Sequence, residues 1–360
     1  MLFTPGEISV LELPNRLVRS ATAERMANDK GFPLPTLTNL YRTLTRGGVG
    51  LIITGHMYIN PDGKCHPEMT GIYTDEILPQ LSKLVKSVHQ EGGKIAVQIN
   101  HGGGKCSLET VQQAISPSAA EQDSIYNHQA QEMTEEEIHK TINDFSQAAR
   151  RGKEAGFDAV QIHAAHGYLV SQFLSPLTNH RNDEWGGLLS NRSKLLKEVS
   201  LATREQVGPD YPLLIKFGIA DGCENGLSLE DGLETLQYFE SWGLDGVEIS
   251  SGFSGELFSP IQKGINKPAD EGYFLPFVEQ ARLKTELPIL AVGGFRSRNV
   301  MERVLLSDAA DFISLCRPLI REPNLPALFE AGEETDSDCL SANLCWAENK
   351  GEGISCKCFD

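Results

Sequence analysis

Residues 134–168 read TEEEIHKTINDFSQAARRGKEAGFDAVQIHAAHGY and hold one whole period of the fold. From Thr134 to Ala155 apolar residues recur three and four apart, the pattern of a helix with one buried face. Thr134 and Glu137 have the spacing of a capping box, in which each side chain satisfies a backbone N–H that the helix start leaves unpaired. From Asp158 to His163 the pattern changes to a short run, apolar on both faces for most of its length, that ends in a polar residue. A helix joined to such a strand calls for a parallel sheet covered by helices.

Seven further runs of this kind flank it: Asn15–Thr22, Val49–His56, Lys94–His101, Leu213–Ala220, Gly246–Gly252, Pro288–Phe295 and Asp311–Pro318. Helical periodicity fills intervals between them, as over Glu76–Glu91. Eight such units predict an α/β fold closed into a (β/α)₈ TIM barrel; an open doubly wound sheet is the alternative built from the same elements. Leu2–Leu13 reads as a short hairpin around Pro5-Gly6 that plugs the barrel floor, and Arg321–Glu330 as a final helix. No stretch rich in Gly, Ser or Pro divides the chain, so residues 1–333 are expected to form one barrel and 334–360 a short cysteine-bearing tail.

The 360 residues exceed the roughly 100–200 of an average domain, yet barrels of this type grow past about 250 as one unit. A hydrophobic content of 40%, with charge spread throughout, describes a soluble globular chain. No run approaches the ~18 apolar residues of a membrane span, and the opening MLFTPGEISVLELPNR lacks the basic-then-apolar pattern of a signal peptide. The expectation is a cytoplasmic protein without a membrane partner. A net charge of −17 argues against nucleic acid, whose binding needs cation-rich surfaces. In a reducing compartment the eight cysteines are read as free thiols, buried hydrophobes or metal ligands before disulfides.

Barrel active sites lie at the carboxyl ends of the strands, so the residues there carry the functional reading. His163 and His166 stand three apart and cannot share a face of one strand, so the strand must end near His163. The small Ala164-Ala165 step then lets both imidazoles and the Tyr168 hydroxyl converge at the barrel mouth. By itself such a pair is structural or metal-binding as readily as catalytic. Lys216, in Leu-Leu-Ile-Lys-Phe, is a buried cation that needs an anionic partner. Gly293-Gly294 after the seventh strand and Cys316-Arg317 after the eighth fall where such barrels bind phosphate: glycine admits close backbone approach and arginine adds a charged fork. Gly102-Gly103-Gly104-Lys105 is not a P-loop, because the spacing is wrong and Cys106 stands where Ser or Thr is needed.

The run from Gln161 to Pro176, continuing through Asn179, Arg181, Asp183 and Trp185-Gly186-Gly187, resembles the signature of the old yellow enzyme family. The likeness is to the branch of the bacterial 2,4-dienoyl-CoA reductases and other NADH:flavin oxidoreductases, and it extends from Leu2 to about Glu330. It implies an FMN-dependent oxidoreductase that takes hydride from NADH or NADPH and gives it to the activated double bond of an enone-like, α,β-unsaturated carbonyl compound. His163 and His166 would hydrogen-bond the substrate carbonyl and Tyr168 would supply a proton. By the same resemblance Lys216 lies beside N1 and the C2 carbonyl of the flavin, Gln98 bonds its pyrimidine edge, and the strand of Ala21, Thr22 and Ala23 runs along it with Gly55 nearby. Gly293, Gly294, Cys316 and Arg317 would hold the phosphate. Many relatives place cysteine or threonine at the position of Ala23, so a side-chain bond to the flavin C4 carbonyl is absent here. Members often self-associate as homo-oligomers; no interface is legible in this sequence.

The tail departs from the pattern. Dienoyl-CoA reductase relatives carry cysteines for a [4Fe–4S] centre beginning Cys-x₂-Cys, whereas here Ala342 follows Cys339 at that spacing. Cys339, Cys345, Cys356 and Cys358 retain enough thiolates for an iron-sulfur cluster or zinc, but the departure favours free thiols and no metal. The sequence also ends before the FAD/NAD domain of the larger relatives, so no internal electron relay is expected. Two other functions use the same barrel: an aldolase-like lyase with Lys216 as Schiff-base amine, and a flavin-binding redox sensor that responds through the tail cysteines.

Overall fold

A computed structural model describes residues 1–121, 125–126, 128–253, 259–346 and 353–358. The chain opens with a hairpin of β1 (Gly6–Ile8) and β2 (Leu11–Leu13), continues through β3 (Leu17–Arg19) and β4 (Leu51–Ile53), and adds the short β5 (Met57–Tyr58) before β6 (Ile95–Asn100). A two-stranded pair, β7 (Ala114–Ser116) and β8 (Ala130–Glu132), lies outside the main sheet. Then follow β9 (Ala159–Ala164), β10 (Leu213–Gly218), β11 (Gly246–Ser250), β12 (Ile289–Ala291) and β13 (Phe312–Leu315).

Strands β3, β4, β6, β9, β10, β11, β12 and β13 pair in parallel in that order, and β13 pairs back to β3, which closes the eight-stranded barrel. Each expected strand is present, though several are shorter: Asn15–Thr22 pairs only over Leu17–Arg19, and Pro288–Phe295 only over Ile289–Ala291.

The helix expected from Thr134 spans Glu135–Ala155, with both bonds of the capping box formed. It ends at Gly156, whose φ of 94° is a conformation glycine adopts without a Cβ penalty. The final helix differs from expectation: it breaks into Arg317–Arg321 and Leu325–Ala331, because Pro323 offers no N–H to carry the ladder through. The hairpin also turns elsewhere. Gly6 already pairs with Leu13 and Ile8 with Leu11, so the bend is at Ser9-Val10, with Ser9 at φ 53°, and Pro5-Gly6 precedes it.

Its floor-plugging role stands. Ile8, Leu11 and Leu13 pack among Val18, Leu51, Ile53, Ala96, Ala159, Leu214, Leu290 and Phe312, all buried, which forms an apolar bottom layer inside the barrel. The tail folds back onto the barrel: Ser337 N donates to Arg296 O, Gly264 N to Ser341 O, and Ile354 N to Glu24 O. Among the described residues no helix is long and apolar enough to cross a membrane.

Candidate active site

Side chains two apart on a strand share a face, so one pleat above the apolar layer the same strands point a second ring inward. That ring is polar. Ser20 follows Val18, Gln98 follows Ala96, Gln161 follows Ala159, Lys216 follows Leu214 and Glu248 follows Gly246, each at most 4% exposed. Gln98 Nε2 donates to Gln161 Oε1 at 2.7 Å, and Gln161 Nε2 to Glu248 Oε2 at 3.2 Å. Ser20 Oγ donates to Glu248 Oε1 at 2.6 Å and accepts from Lys216 Nζ at 2.8 Å. Lys216 Nζ lies 3.2 Å from Glu248 Oε1, so Glu248 is the anionic partner its burial demands. The parallel register sets Lys216 opposite Glu248 and Gln98 opposite Gln161, which fixes the network before any side chain rotates.

Above the ring opens a cavity of about 370 Å³, within the range of small-molecule sites. Of the residues singled out in the sequence, Ala21, Thr22, Ala23, Gln98, His163, His166, Tyr168, Lys216, Gly294, Cys316 and Arg317 line it. Gly55 and Gly293 do not. A Cβ on Gly55 would stand 1.9 Å from Glu24 Oε2, so this glycine lies behind the first strand, where its N–H donates to Glu24 at 2.9 Å. Gly293 lies beneath the rim, its carbonyl accepting from Tyr273 N at 3.1 Å.

β9 ends at Ala164, and His166 and Gly167 then take φ of 60° and 70°, a reversal that brings the aromatic groups together. The His163 ring centroid lies 5.4 Å from that of His166 and 4.9 Å from that of Tyr168. His166 Nε2 shares a 2.7 Å hydrogen bond with Ser250 Oγ, while His163 Nδ1 is buried without a partner among the described residues. Burial holds both imidazoles well below their ordinary pKa, helped by the neighbouring His166 at His163 and by Lys216 at His166. Burial pushes the Tyr168 phenol in the opposite direction, upward. Both histidines are thus neutral and the phenol protonated at neutral pH.

Two neighbours were missed in the sequence. His56, with its centroid 4.9 Å from that of Tyr168, is held by Asn100 Nδ2 at 2.8 Å, and burial lowers its pKa to about 4. Lys105 lies 5.3 Å from the Tyr168 centroid and donates to the carbonyls of His166 at 2.7 Å and Phe253 at 3.2 Å; burial lowers its pKa to about 8. His56 was legible as the polar end of a strand. Lys105 carried no such mark, since its place depends on how the loop folds.

At the opposite rim Cys316 Sγ meets Thr22 Oγ1 at 3.0 Å. Arg317 Nη1 donates to Gln262 O at 2.6 Å, Asn343 Oδ1 at 2.7 Å and Ser341 O at 3.3 Å. Ser341 and Trp346 also line the cavity, and Trp346 Nε1 donates to Ala23 O at 3.2 Å, so the tail supplies part of the wall. Cys339 and Cys345 are buried in it as free thiols, and burial raises the Cys345 thiol to about 12. Among the described residues no group of three or more cysteine, histidine or carboxylate side chains is arranged to hold a metal ion.

Comparison with known proteins agrees with this architecture. Residues 1–336 match the NADH:flavin oxidoreductase / NADH oxidase family, so the tail beyond them lies outside the match. The chain is 36% identical over 324 residues to the NADPH dehydrogenase of Bacillus velezensis, covering 90% of this chain and 92% of that one. A 2-naphthoyl-CoA reductase in complex with 2-naphthoyl-CoA superposes with a TM-score of 0.87 at 28% identity; the match takes in 94% of this chain but only 53% of that larger protein. An old yellow enzyme homologue from Zymomonas mobilis superposes at 0.80 with 26% identity, over 94% of each chain.

Proposed function

The chain belongs to the NADH:flavin oxidoreductase / NADH oxidase family and is an NAD(P)H-dependent flavin oxidoreductase; from that premise we propose that it uses FMN to reduce the activated C=C bond of α,β-unsaturated carbonyl compounds. The observation that carries this reading is the single cavity in which the Lys216 network, the His163/His166/Tyr168 group and Arg317 all meet. FMN, when bound, supplies the hydride-carrying chemistry.

The residues fit that group. Lys216 offers a positive charge and Gln98 an amide at the buried end, matched to the polar edge of a flavin ring system. Ser314 Oγ and His163 Nδ1 are buried without a partner among the described residues and belong to cavity-lining side chains, as expected where a ligand supplies the missing bonds. Ala21, Thr22 and Ala23 would flank the ring with Gly55 supporting their strand from behind. Gly294, Cys316 and Arg317 would take the phosphate at the rim, with Gly293 supporting the turn from beneath.

His163 and His166 orient the substrate. A neutral imidazole can donate one hydrogen bond without bringing a full charge into a closed site, and two such donors stabilise the oxygen where negative charge grows as the β-carbon is reduced. His166 spends Nε2 on Ser250, which leaves Nδ1 for the ligand. Tyr168, held protonated by burial, delivers its proton to the α-carbon. Lys216 is engaged with Glu248 and Ser20, which makes it a poor carbonyl nucleophile and sets the Schiff-base reading aside.

The test is an absorbance spectrum of the purified protein loaded with FMN. Anaerobic NADPH or NADH should bleach the flavin band, and 2-cyclohexenone should restore it. A protein that retains no FMN, or one whose bleached band no enone restores, would contradict the proposal.

A further inference from the structure

On the wall that supports Tyr168, outside the cavity, two thiols stand together. Cys65 follows the turn Pro61–Gly63, and Cys106 follows the turn Gly103–Lys105. The two loops are joined by Gly102 N donating to Gly63 O at 3.0 Å and Ser107 N to Cys65 O at 3.2 Å. Each sulfur lies 2.5 Å from where a Cβ on Gly102 would stand, so the two are no more than 5.0 Å apart, and the Cys65 thiol donates to Gly63 O at 3.7 Å. Any side chain at Gly102 would press between them.

The two thiols differ in access. Cys106 is fully buried, and its thiol donates to Asp62 O at 3.3 Å; the neighbouring Cys65 thiol and then burial push its pKa up. Cys65 is half-buried, reachable from solvent, and close enough to Lys105 to act on the charge of its ammonium. Neither thiol takes part in the flavin chemistry proposed above.

We propose that Cys65 and Cys106 form a redox-active dithiol that reduces small organic disulfides and, in doing so, closes a bond between the two loops beside Tyr168. Cys65, its proton released to water, attacks one sulfur of R–S–S–R; that bond breaks, a Cys65–S–S–R bond forms, and the departing RS⁻ takes up a proton. Cys106 then loses its proton and attacks the Cys65 sulfur, which forms the Cys65–Cys106 bond and releases the second RS⁻ for protonation. Two protein thiols are oxidised to one disulfide while one external disulfide is reduced to two thiols, with no further reagent. The more accessible thiol attacks and the buried one resolves.

The position gives the bond a consequence. Lys105 precedes Cys106 directly, holds the carbonyls of His166 and Phe253, and lies against the Tyr168 ring. Any shift of Cys106 toward Cys65 pulls on the residue that fixes the backbone ahead of Tyr168.

The test uses the full-length protein, reduced, desalted, exposed to oxidised glutathione, alkylated with N-ethylmaleimide and mapped by peptide mass spectrometry. The wild type should yield a Cys65–Cys106 cross-linked peptide. Cys106→Ser should hold one glutathione on Cys65, and Cys65→Ser should show neither a cross-link nor glutathione on Cys106. Recovery of both cysteines as alkylated free thiols, or of glutathione on Cys65 in the wild type without the cross-link, overturns the proposal. The readout is a mass, so it is independent of flavin content and of whether the enone reaction proceeds.

Discussion

Lys216 and Glu248 show how much one pleat of a strand can carry. The pair is buried inside the barrel, where an unpaired charge costs far more than the pair itself contributes. Replacing Glu248 with Leu should therefore lower stability by about 3–5 kcal/mol in a denaturant titration, the usual penalty for breaking a buried pair. Adding Lys216→Met should recover much of that loss while FMN retention stays poor, because the charge at the buried end of the cavity is gone. Recovery of FMN binding together with stability would remove Lys216 from the cofactor site. Tyr168→Phe tests the proton donor: FMN should remain bound and its reduction by NADPH unchanged, while reoxidation by an enone slows by about 10²-fold or more, the usual range for a positioned acid. Equal stopped-flow reoxidation rates in the two proteins would exclude Tyr168 as donor. Lys216 stands out in the sequence as a charge inside an apolar strand run, and Tyr168 by following the strand that ends near His163; Glu248 has the same mark as Lys216 within Gly-Val-Glu-Ile-Ser and passed unread until the register set it opposite Lys216.

At the scale of elements, the mouth depends on how β3 and β4 leave the barrel together. Glu24, just beyond β3, accepts from Arg19, from the Tyr41 hydroxyl at 2.8 Å and from Gly55 N at 2.9 Å, and so ties both strand ends to the helix Pro35–Arg46. Gly55→Ala would place a methyl where the Glu24 carboxylate now stands. The expected result is a clear fall in the thermal midpoint together with weaker FMN binding, because the strand that flanks the cavity shifts with Glu24. Unchanged melting and affinity would show that the carboxylate has room to move. The chain after β9 is a second case. His163 was readable as the end of a strand, and the convergence of His166 and Tyr168 with it was expected from the small Ala164-Ala165 step. The contribution of Lys105 was not, since it comes from a loop after a different strand.

For the whole molecule, the buried histidines set the response to acid. Burial lowers His56 to about 4 and His66 and His101 to about 3, against an ordinary value of 6.5. Between those values the unfolded chain binds protons that the folded chain refuses, so stability is lost as pH falls from 6.5, and this contribution levels off only near pH 3. The denaturant midpoint should already drop between pH 7 and pH 5, above the range where most carboxylates titrate. A flat midpoint across that interval would mean that these imidazoles protonate without unfolding. The tail acts at the same scale, since Ser341, Asn343 and Trp346 reach Arg317 and Ala23 across the mouth although they lie beyond residues 1–336, the stretch matched as the family's.

The sequence by itself determined the eight strand-forming runs and the polar residues that follow their apolar cores. Hydrophobic periodicity is local, and eight repeats of one pattern admit few closures, so the polar residue after each apolar run had to face the mouth. Only the tertiary structure decided what those residues meet. Glu248 became the partner of Lys216 through strand register, His56 and Lys105 joined Tyr168 through loops from separate units, and the tail became wall because its path returns to the first strand. Contacts between residues far apart in the chain depend on register and loop path, and neither leaves a periodic trace in the residues that make them.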